Sequence, residues 1–214
     1  MTISTGSFMP QGQLFVISAP SGAGKTSLVA ATITHMRDLA VSVSHTTRSP
    51  RPGEVDGRDY HFVEQSEFEG LIASDALFEY AEVFGNFYGT SKKGVEAQLA
   101  QGTDVILEID WQGAAQVRDI APESVSIFIL PPTRDALRER LIGRKQDDAS
   151  IIDSRMAEAY KTIEQAPYFD YWVINDDFGI ALENLESIII SHRQRRPQIH
   201  SKDLDFLEKL LGHQ

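Results

Sequence analysis

The run Leu-Phe-Val-Ile-Ser-Ala-Pro-Ser-Gly-Ala-Gly-Lys-Thr occupies residues 14–26. It begins with apolar residues typical of a buried strand, continues through a turn with glycines, and ends where Lys25 and Thr26 open a helical pattern. Strand, phosphate loop and helix in this order predict a binding site for a nucleoside triphosphate. The first loop position carries Ala19 instead of the usual glycine. We expect a negative φ there, which accommodates the extra methyl group.

The residue types of this loop suit phosphate binding. Gly22 and Gly24 allow backbone N–H groups to converge on phosphate oxygens. Lys25 then reaches the β- and γ-phosphates, and the Thr26 hydroxyl is a ligand for Mg²⁺. The alternative is a glycine-rich turn with an incidental lysine, but the flanking strand and helix favour a nucleotide site. The predicted ATP-binding residues of the loop are Ala19, Pro20, Ser21, Gly22, Ala23, Gly24, Lys25 and Thr26.

The composition argues against several classes of protein. The 214 residues suffice for one ordinary domain with lobes, and the absence of cysteine leaves neither a disulfide nor a thiolate metal site. A formal net charge of −11 argues against general nucleic-acid binding. The apolar runs are too short to span a bilayer, and residues 1–12 form a polar tail without the pattern of a signal peptide. We therefore expect a cytoplasmic protein that binds neither nucleic acid nor a membrane.

Predicted strands and helices alternate along most of the chain. Beyond the first strand, strands are predicted at 41–44, 58–63, 76–82, 86–91, 104–109, 125–130 and 171–174. Helices are predicted at 26–36, 65–73, 95–100, 112–120, 134–143, 151–166 and 180–193, and apolar residues recur at helical spacing in 202–211. This alternation predicts an α/β fold, in which helices cover both faces of a parallel sheet. Prolines and short strands interrupt the alternation in residues 45–90, which we interpret as an inserted block.

Asp110 directly follows the predicted strand 104–109. In phosphate-loop enzymes, a carboxylate at the carboxyl end of a neighbouring parallel strand lies near Mg²⁺ or its bound waters. The alternative role is the N-cap of the helix predicted at 112–120, and one side chain can serve both purposes. The metal prediction is therefore Mg²⁺ held by Thr26 and Asp110, directly or through water.

Two arginines in the inserted block are candidates for a second phosphate site. Arg48 and Arg51 lie in the run Thr-Arg-Ser-Pro-Arg-Pro-Gly-Glu, where prolines stiffen the loop. A guanidinium group presents a planar fork that matches phosphate oxygens, and a rigid loop lowers the entropic cost of ordering it. The alternative is a pair of solvated loop arginines, which is the usual state of arginines in loops.

A wider set of motifs resembles the guanylate kinases. The chain reads Ser-Val-Ser-His-Thr-Thr-Arg-Ser-Pro-Arg-Pro-Gly-Glu at 42–54, which is similar to the signature of that family. Further segments fit the same family in the same order: Gly57-Arg58-Asp59-Tyr60, Glu79-Tyr80-Ala81, Gly85-Asn86-Phe87-Tyr88-Gly89-Thr90, Glu108-Ile109-Asp110-Trp111-Gln112-Gly113, Arg140-Leu141-Ile142-Gly143-Arg144, Arg155 and Val173-Ile174-Asn175-Asp176-Asp177. The resemblance spans about residues 13–193, and the motifs together are far more specific than the phosphate loop alone.

The resemblance implies a pocket for GMP. Carried over by position, the family's role of holding the acceptor phosphate falls on Arg48, Arg51, Tyr60 and Tyr88. The role of contacting the guanine base falls on Ser44, Glu79, Thr90 and Glu108, with Asp110 beside them. A carboxylate at Glu79 can accept hydrogen bonds from guanine N1–H and N2–H₂, a donor pattern that adenine lacks. The family often has Asp where Glu108 stands. Without the surrounding motifs, Glu79 and Glu108 would be interpreted as strand-end carboxylates that face solvent.

The resemblance also implies a lid with three arginines. Arg140 and Arg144 are four residues apart and so share one face of a helix, and Arg155 lies on the next helix. In the family, arginines at these places close over the transferring phosphate, although the lid turn departs here from the usual Gly-Arg-Gly. The alternative is a surface helix with salt bridges to Glu139 and Asp147. The predicted catalytic residues are Lys25, Arg48, Arg140, Arg144 and Arg155.

Asn175 follows the last predicted strand. A contact with the edge of adenine is one interpretation of a side chain at this strand end, so Asn175 joins the predicted ATP-binding residues. A turn or a helix cap is an equally good interpretation of this position. The basic run 193–196 is interpreted as a complement to the dipole at the end of the preceding helix. The histidines show no metal-ligand spacing.

The implied architecture is a P-loop kinase with a central parallel sheet flanked by helices, an inserted mixed α+β GMP-binding lobe and a helical lid. The expected division is a flexible tail at 1–12, a core at 13–44, 92–137 and 168–214, the lobe at 45–91 and the lid at 138–167. The expected reaction transfers the γ-phosphoryl group of ATP to GMP, and also to dGMP, in purine nucleotide metabolism. ATP and GMP are the expected partners, together with a second copy of the chain in a homodimer.

Two other functions stay open at this point. One is a phosphate-loop kinase for a deoxynucleotide or a ribosyl phosphate, against which Ser44, Glu79 and Thr90 favour a guanine pocket. The other is a binding module with the guanylate kinase fold that has lost catalysis. Such modules usually have a degraded phosphate loop, whereas Lys25 and Thr26 are both present here.

Overall fold

A computed structural model of the chain describes residues 12–83, 85–143, 149–195 and 209–212. The lid arginine Arg144 lies outside the described residues, as does most of the segment 202–211. The roles predicted for them therefore stay predictions. Within the described part of the chain, no helix is long and apolar enough to cross a membrane.

Strands and helices alternate as the sequence predicts. The strands are β1 (Leu14–Ser18), β2 (Leu39–Val41), β3 (His45–Thr46), β4 (His61–Phe62), β5 (Leu77–Val83), β6 (Asn86–Ser91), β7 (Asp104–Glu108), β8 (Val125–Leu130) and β9 (Tyr171–Ile174). The α-helices are α1 (Lys25–His35), α2 (Gln65–Ala73), α3 (Lys92–Ala100), α4 (Trp111–Ile120), α5 (Arg134–Ile142), α6 (Ala149–Ile163) and α7 (Phe178–Arg193). A 3-10 turn, Ala166–Tyr168, precedes β9.

The first sheet is parallel and centres on β1. Its strand order is β2-β7-β1-β8-β9, and Val16 of β1 aligns with Leu107 of β7 on one side and Ser126 of β8 on the other. Every residue of β1 is buried. Because parallel strands place their carboxyl ends on one edge of a sheet, the segments that follow β1, β7 and β9 meet at that edge.

Side chains of β1 alternate between two apolar clusters, one on each face of this sheet. Phe15 packs in a cluster with buried residues of α1 and α7, such as Leu28 and Leu185. Val16 packs on the opposite face with Val117 of α4 and with residues of α3. The predicted α/β fold, with helices on both faces of a parallel sheet, is therefore confirmed.

The second sheet is mixed and has the strand order β4-β3-β6-β5. Strand β3 is parallel to β4 and antiparallel to β6. Strands β5 and β6 form the predicted hairpin, in which Glu79 aligns with Thr90. Helix α2 packs on this sheet through Phe68, which is fully buried and stacks on Phe87 with ring centroids 5.4 Å apart. All four strands come from the block that interrupts the alternation.

Two predicted strand boundaries are wrong, because long-range contacts override the local pattern. The strand predicted at 41–44 spans a crossing between the sheets: β2 ends at Val41, and β3 begins at His45 in the second sheet. The strand predicted at 58–63 is reduced to His61–Phe62 because a hydrogen-bonded turn precedes it. Other boundaries differ by a few residues, as is usual for element ends.

Candidate active site

A cavity of ≈ 610 Å³ is lined by residues of both sheets, at the carboxyl edge of the first. Its walls come from the start of α1, the end of β7 and the second sheet. The residues that matter most below are Lys25, Thr26, Ser44, Glu79, Tyr88 and Glu108. The fold therefore joins the predicted phosphate loop and the predicted guanine pocket in one cavity.

The phosphate loop connects β1 to α1 in a conformation that its glycines permit. Gly22 and Gly24 have φ of 90° and 92°, in the left-handed region. Ala19 is not among the described residues with positive φ, as expected, so its methyl group causes no backbone strain. Asn175 packs behind the loop, where its Nδ2 donates to Ala23 O at 2.7 Å. A Cβ atom on Gly24 would lie 2.3 Å from that nitrogen, so glycine is required there for two independent reasons.

Lys25 is half-buried at the first position of α1. Its Nζ donates to Ile109 O at 3.0 Å, which holds the ammonium group against the end of β7. Burial lowers the pKa of Lys25, and the negative charges of Glu108 and Asp110 oppose this shift. The amino end of α1 adds its partial positive charge to the same place. Anionic oxygens that enter the cavity thus meet a prepositioned cation.

Thr26 and two carboxylates near the end of β7 bring hard oxygen atoms into one part of the cavity. Thr26 Oγ1 donates to Glu108 Oε1 at 2.5 Å. Asp110 is the N-cap of α4, since its Oδ1 accepts from Gly113 N at 2.8 Å, and this confirms the capping alternative without excluding a role near a metal. Among the described residues, no group of three or more His, Cys, Asp or Glu could hold a metal ion by itself. The Thr26 hydroxyl and the carboxylates of Glu108 and Asp110 would nevertheless fit Mg²⁺, because that ion keeps several waters and binds phosphate oxygens as well as protein oxygens.

Glu79 is almost completely buried on β5, with 5% of its surface exposed. Its Oε1 accepts from Thr90 Oγ1 at 2.6 Å, and Ser44 Oγ lies 3.2 Å from the same hydroxyl oxygen. Burial raises the pKa of Glu79 to about 7; the charge of Asp110 adds to this shift, and the hydrogen bond from Thr90 opposes it. The structure therefore brings the predicted residues Ser44, Glu79 and Thr90 together.

Arg48 is held by a carboxylate, Glu54, that was not predicted as a site residue. The two terminal nitrogens of Arg48 donate to Glu54 at 2.9 Å each, and the guanidinium lies 5.3 Å from the ring centroid of Tyr60. Glu54 also accepts from Arg51 N at 2.7 Å, and the bond from Arg48 lowers the pKa of Glu54 to about 2. The ring centroid of Tyr88 lies 6.0 Å from that of Tyr60. The four residues predicted for the acceptor phosphate thus lie close together, around Glu54.

Arg58 and Asp59 also line the cavity and were not predicted as site residues. They form an ion pair in which Arg58 Nη2 lies 2.7 Å from Asp59 Oδ2. Their sequence signal was their place next to Tyr60 in a motif of the resembling family. The motif suggested a chemical role only for Tyr60, so Arg58 and Asp59 were not predicted to line the cavity.

The lid arginines are partly described. Arg140 Nη2 donates to Asn175 O at 2.9 Å, while its Nη1 is buried without a hydrogen-bond partner among the described residues. Arg155 is half-buried on α6, and an ion pair of 3.0 Å between Arg138 and Asp153 joins α6 to α5. Asn175 therefore contacts the phosphate loop with its side chain and Arg140 with its backbone. Its predicted contact with adenine stays a prediction.

Known proteins resemble this chain along nearly its whole length. The family model for guanylate kinase matches residues 11–192. A guanylate kinase from Shewanella oneidensis is 53% identical over 204 residues, which cover 94% of this chain and 98% of that protein. One from Saccharophagus degradans is 54% identical over 203 residues, or 95% and 99% of the two chains. The crystal structure of guanylate kinase from Anaplasma phagocytophilum aligns with a TM-score of 0.72 at 31% identity, covering 94% of this chain and 95% of that one.

Proposed function

This chain belongs to the guanylate kinase family, and we propose that it transfers the γ-phosphoryl group of ATP to GMP in the cavity between its two sheets. ATP binds through the phosphate loop and Lys25, and GMP binds against the second sheet. The products are ADP and GDP. The proposed acceptor contacts involve the base and the phosphate, so dGMP, which differs only in the ribose, is a second proposed acceptor.

The observation that carries this proposal is the buried carboxyl group of Glu79, which opens into the same cavity as Lys25. Guanine presents N1–H and N2–H₂ as adjacent donors, and an ionised carboxylate accepts from both at once. Thr90 fixes the carboxyl group from the side by a hydrogen bond, and Ser44 lies within hydrogen-bond distance of the Thr90 hydroxyl. Adenine offers no such donors and would leave a buried carboxylate unpaired, which disfavours AMP as the acceptor.

The acceptor phosphate is proposed to bind Arg48, Arg51, Tyr60 and Tyr88. A guanidinium group has five N–H donors, so Arg48 keeps donors for a phosphate oxygen while it holds Glu54. The contacts with Glu54 and Ser49 O fix the plane of the guanidinium before substrate arrives, so the remaining N–H donors lose less entropy on binding. Arg48 is therefore both a binding residue and a counter-charge for the reacting phosphate.

The chemistry needs positioning and charge more than proton transfer. The acceptor is a phosphate monoester whose second pKa is about 6, so it is already largely anionic at neutral pH and needs no general base. Two anions must instead be held in line against their mutual repulsion. The ammonium of Lys25 lies in the cavity wall and is proposed to face the donor. The guanidinium of Arg48 lies behind that wall, against Tyr60 and Glu54, and is proposed to face the acceptor. Both stabilise the charge that spreads over the transferring group.

Mg²⁺ is the proposed cofactor. The Thr26 hydroxyl and the carboxylates of Glu108 and Asp110 line one part of the cavity, and hard oxygen donors of this kind suit that ion. When bound, it neutralises charge on the β- and γ-phosphates. Thr26 and Asp110 are the proposed ligands, directly or through water. Glu108, which accepts the hydrogen bond from Thr26, orients the hydroxyl group.

We also propose the division into a core, a GMP-binding lobe at 45–91 and a lid at 138–167. Its support is that one sheet forms wholly within the lobe segment and that α5 and α6 pack on each other in a separate apolar cluster. The lid arginines Arg140, Arg144 and Arg155 are proposed to close over the transferring phosphate. Closure excludes water, which would otherwise compete as acceptor.

A coupled assay for ADP release, with GMP and AMP as alternative acceptors, tests the function. We expect the protein to use GMP at least about 10⁴-fold more efficiently than AMP. Replacement of Glu79 by Gln keeps the size of the side chain but removes the double acceptor, so the preference for GMP should collapse. Equal use of both acceptors by the unaltered protein would overturn the proposal, and a preference that survives Glu79→Gln would overturn the role of Glu79.

The cytoplasmic location and the homodimer are also proposals. The first is supported by the absence of cysteine, which is common in reducing compartments. The second is supported by apolar side chains on the edge strand β9, where Trp172 and Ile174 are 55% and 56% exposed. Sedimentation equilibrium tests the dimer, and a monomer at all concentrations would refute it.

A further inference from the structure

Gln116 of α4 forms a pair of hydrogen bonds with the backbone of β5. Its Nε2 donates to Tyr80 O at 3.0 Å, and its Oε1 accepts from Tyr80 N at 3.2 Å. Strand β5 is at the edge of the second sheet, so its outer backbone groups lack a neighbouring strand. The Gln116 amide takes the place of that strand at one residue, next in sequence to Glu79.

The same helix also contacts Glu79 itself. A Cβ atom on Gly113 would lie 2.8 Å from Glu79 Oε2 and 3.2 Å from its carboxyl carbon, so a larger residue there would displace the carboxyl group. Asp110 caps the start of α4, and Lys25 contacts the backbone just before the cap. Helix α4 therefore reaches from the ATP side of the cavity to the guanine side, with Gln116 and Gly113 as its contacts to β5.

We propose that Gln116 is a positioning residue for guanine recognition, which holds β5 at the distance from α4 that aligns Glu79 with the base. This inference rests on the proposed function, because it assigns the support of the same carboxyl group. The physical basis is the narrow geometric tolerance of the contact. A carboxylate accepts two parallel hydrogen bonds only if its position relative to the donors is correct to a few tenths of an ångström and a few tens of degrees. An edge strand without the amide contact would move more freely.

A leucine at position 116 tests this proposal, because it fills similar space without hydrogen-bonding groups. We expect Gln116→Leu to raise KM for GMP roughly tenfold, as the loss of two neutral hydrogen bonds implies, and to leave KM for ATP unchanged. Preference for GMP over IMP should also fall, because IMP lacks the exocyclic amino group that a displaced Glu79 no longer reaches. Gln112→Leu is the matched control, one turn earlier on α4 and exposed, and should change neither KM.

A second variant covers the case in which Gln116→Leu fails to fold. Gln116→Glu keeps the acceptor for Tyr80 N but loses the donor to Tyr80 O, and we expect it to shift KM for GMP in the same direction. The proposal is overturned if neither variant changes KM for GMP, or if KM for both substrates rises equally while preference over IMP is kept. A further variant, Glu79→Ala, separates the two hypotheses. If Glu79→Ala keeps the preference for GMP over IMP, the proposed role of Glu79 fails. If Glu79→Ala loses this preference but the variants at position 116 keep it, only the inference about Gln116 is refuted.

Discussion

Thr26 at the start of α1 and Glu108 at the end of β7 share a hydrogen bond of 2.5 Å from Oγ1 to Oε1. The sequence predicts these two side chains for different ligands, the hydroxyl for Mg²⁺ and the carboxylate for guanine. Their contact places Glu108 beside the proposed metal ligand.

The contact predicts that replacing Glu108 changes the dependence of activity on Mg²⁺ concentration. We expect Glu108→Gln to raise the Mg²⁺ concentration for half-maximal activity about tenfold, because second-layer partners of metal ligands have effects of that size. KM for GMP should change less than twofold, because Glu108 is expected to act through Thr26 and not on the base. The measurement is initial rate against free Mg²⁺ at saturating ATP and GMP. If KM for GMP changes and the Mg²⁺ dependence does not, Glu108 contacts guanine, as the sequence predicts, and does not act on the metal site.

The raised pKa of Glu79 predicts a pH dependence of acceptor binding. Ligand-free Glu79 has a pKa of about 7 because it is buried, and guanine needs the ionised carboxylate. We therefore expect kcat/KM for GMP to fall as pH decreases through about 7, in addition to any loss from protonation of the phosphate of GMP. The control is Glu79→Gln, whose profile keeps only the phosphate step. Identical profile shapes for the two proteins would contradict the prediction.

The same burial predicts a stability effect with a defined sign. The pKa of Glu79 is raised from 4.5 to about 7 in the fold, so the folded state holds a proton that the unfolded state releases. Its contribution to stability is complete below about pH 4.5 and is lost as pH rises through about 7. Without ligands, Glu79→Gln should therefore unfold at a higher temperature than the unaltered protein at about pH 8, with the gain shrinking toward about pH 4.5. Calorimetry at both values measures it, and a gain that grows at low pH would show the opposite linkage.

Asn175 allows the two roles considered for it to be separated. If it braces the phosphate loop through Ala23 O, Asn175→Ala should weaken binding of ATP and of inorganic tripolyphosphate alike, by roughly fivefold. If its main role is to contact adenine, only ATP should bind more weakly. Competition titrations with both ligands decide this. The bond of 2.7 Å to Ala23 O leads us to expect the first result.

Arg144 is predicted to act on the transferring phosphate. We expect Arg144→Met to lower kcat by about 10³-fold or more, the range known for arginines that stabilise a phosphoryl-transfer transition state. Affinity for ATP should change far less, since the phosphate loop supplies that binding. Stopped-flow turnover and equilibrium binding give the two values. An unchanged kcat would remove Arg144 from the catalytic residues.

Much of the site could be predicted because its signals are local. The phosphate loop lies within one short run, and Gly22 and Gly24 adopt the positive φ that such a loop requires. The hairpin that carries Glu79 and Thr90 was also predictable, since alternation and a central turn identify it. Strand limits near 41–44 were not, because the chain leaves one sheet and enters another there.

Local patterns in the chain predict the residue types: a phosphate loop, a carboxylate proposed for guanine and arginines on a stiff loop. Which of these side chains touch depends on the tertiary structure. Thr26 and Glu108 are 82 residues apart, Ala23 and Asn175 are 152 apart, and Tyr80 and Gln116 are 36 apart. Local propensity contains no information about such pairs. They meet because parallel strands place their carboxyl ends on one edge, and because the second sheet packs against α4 at a distance that Gly113 allows.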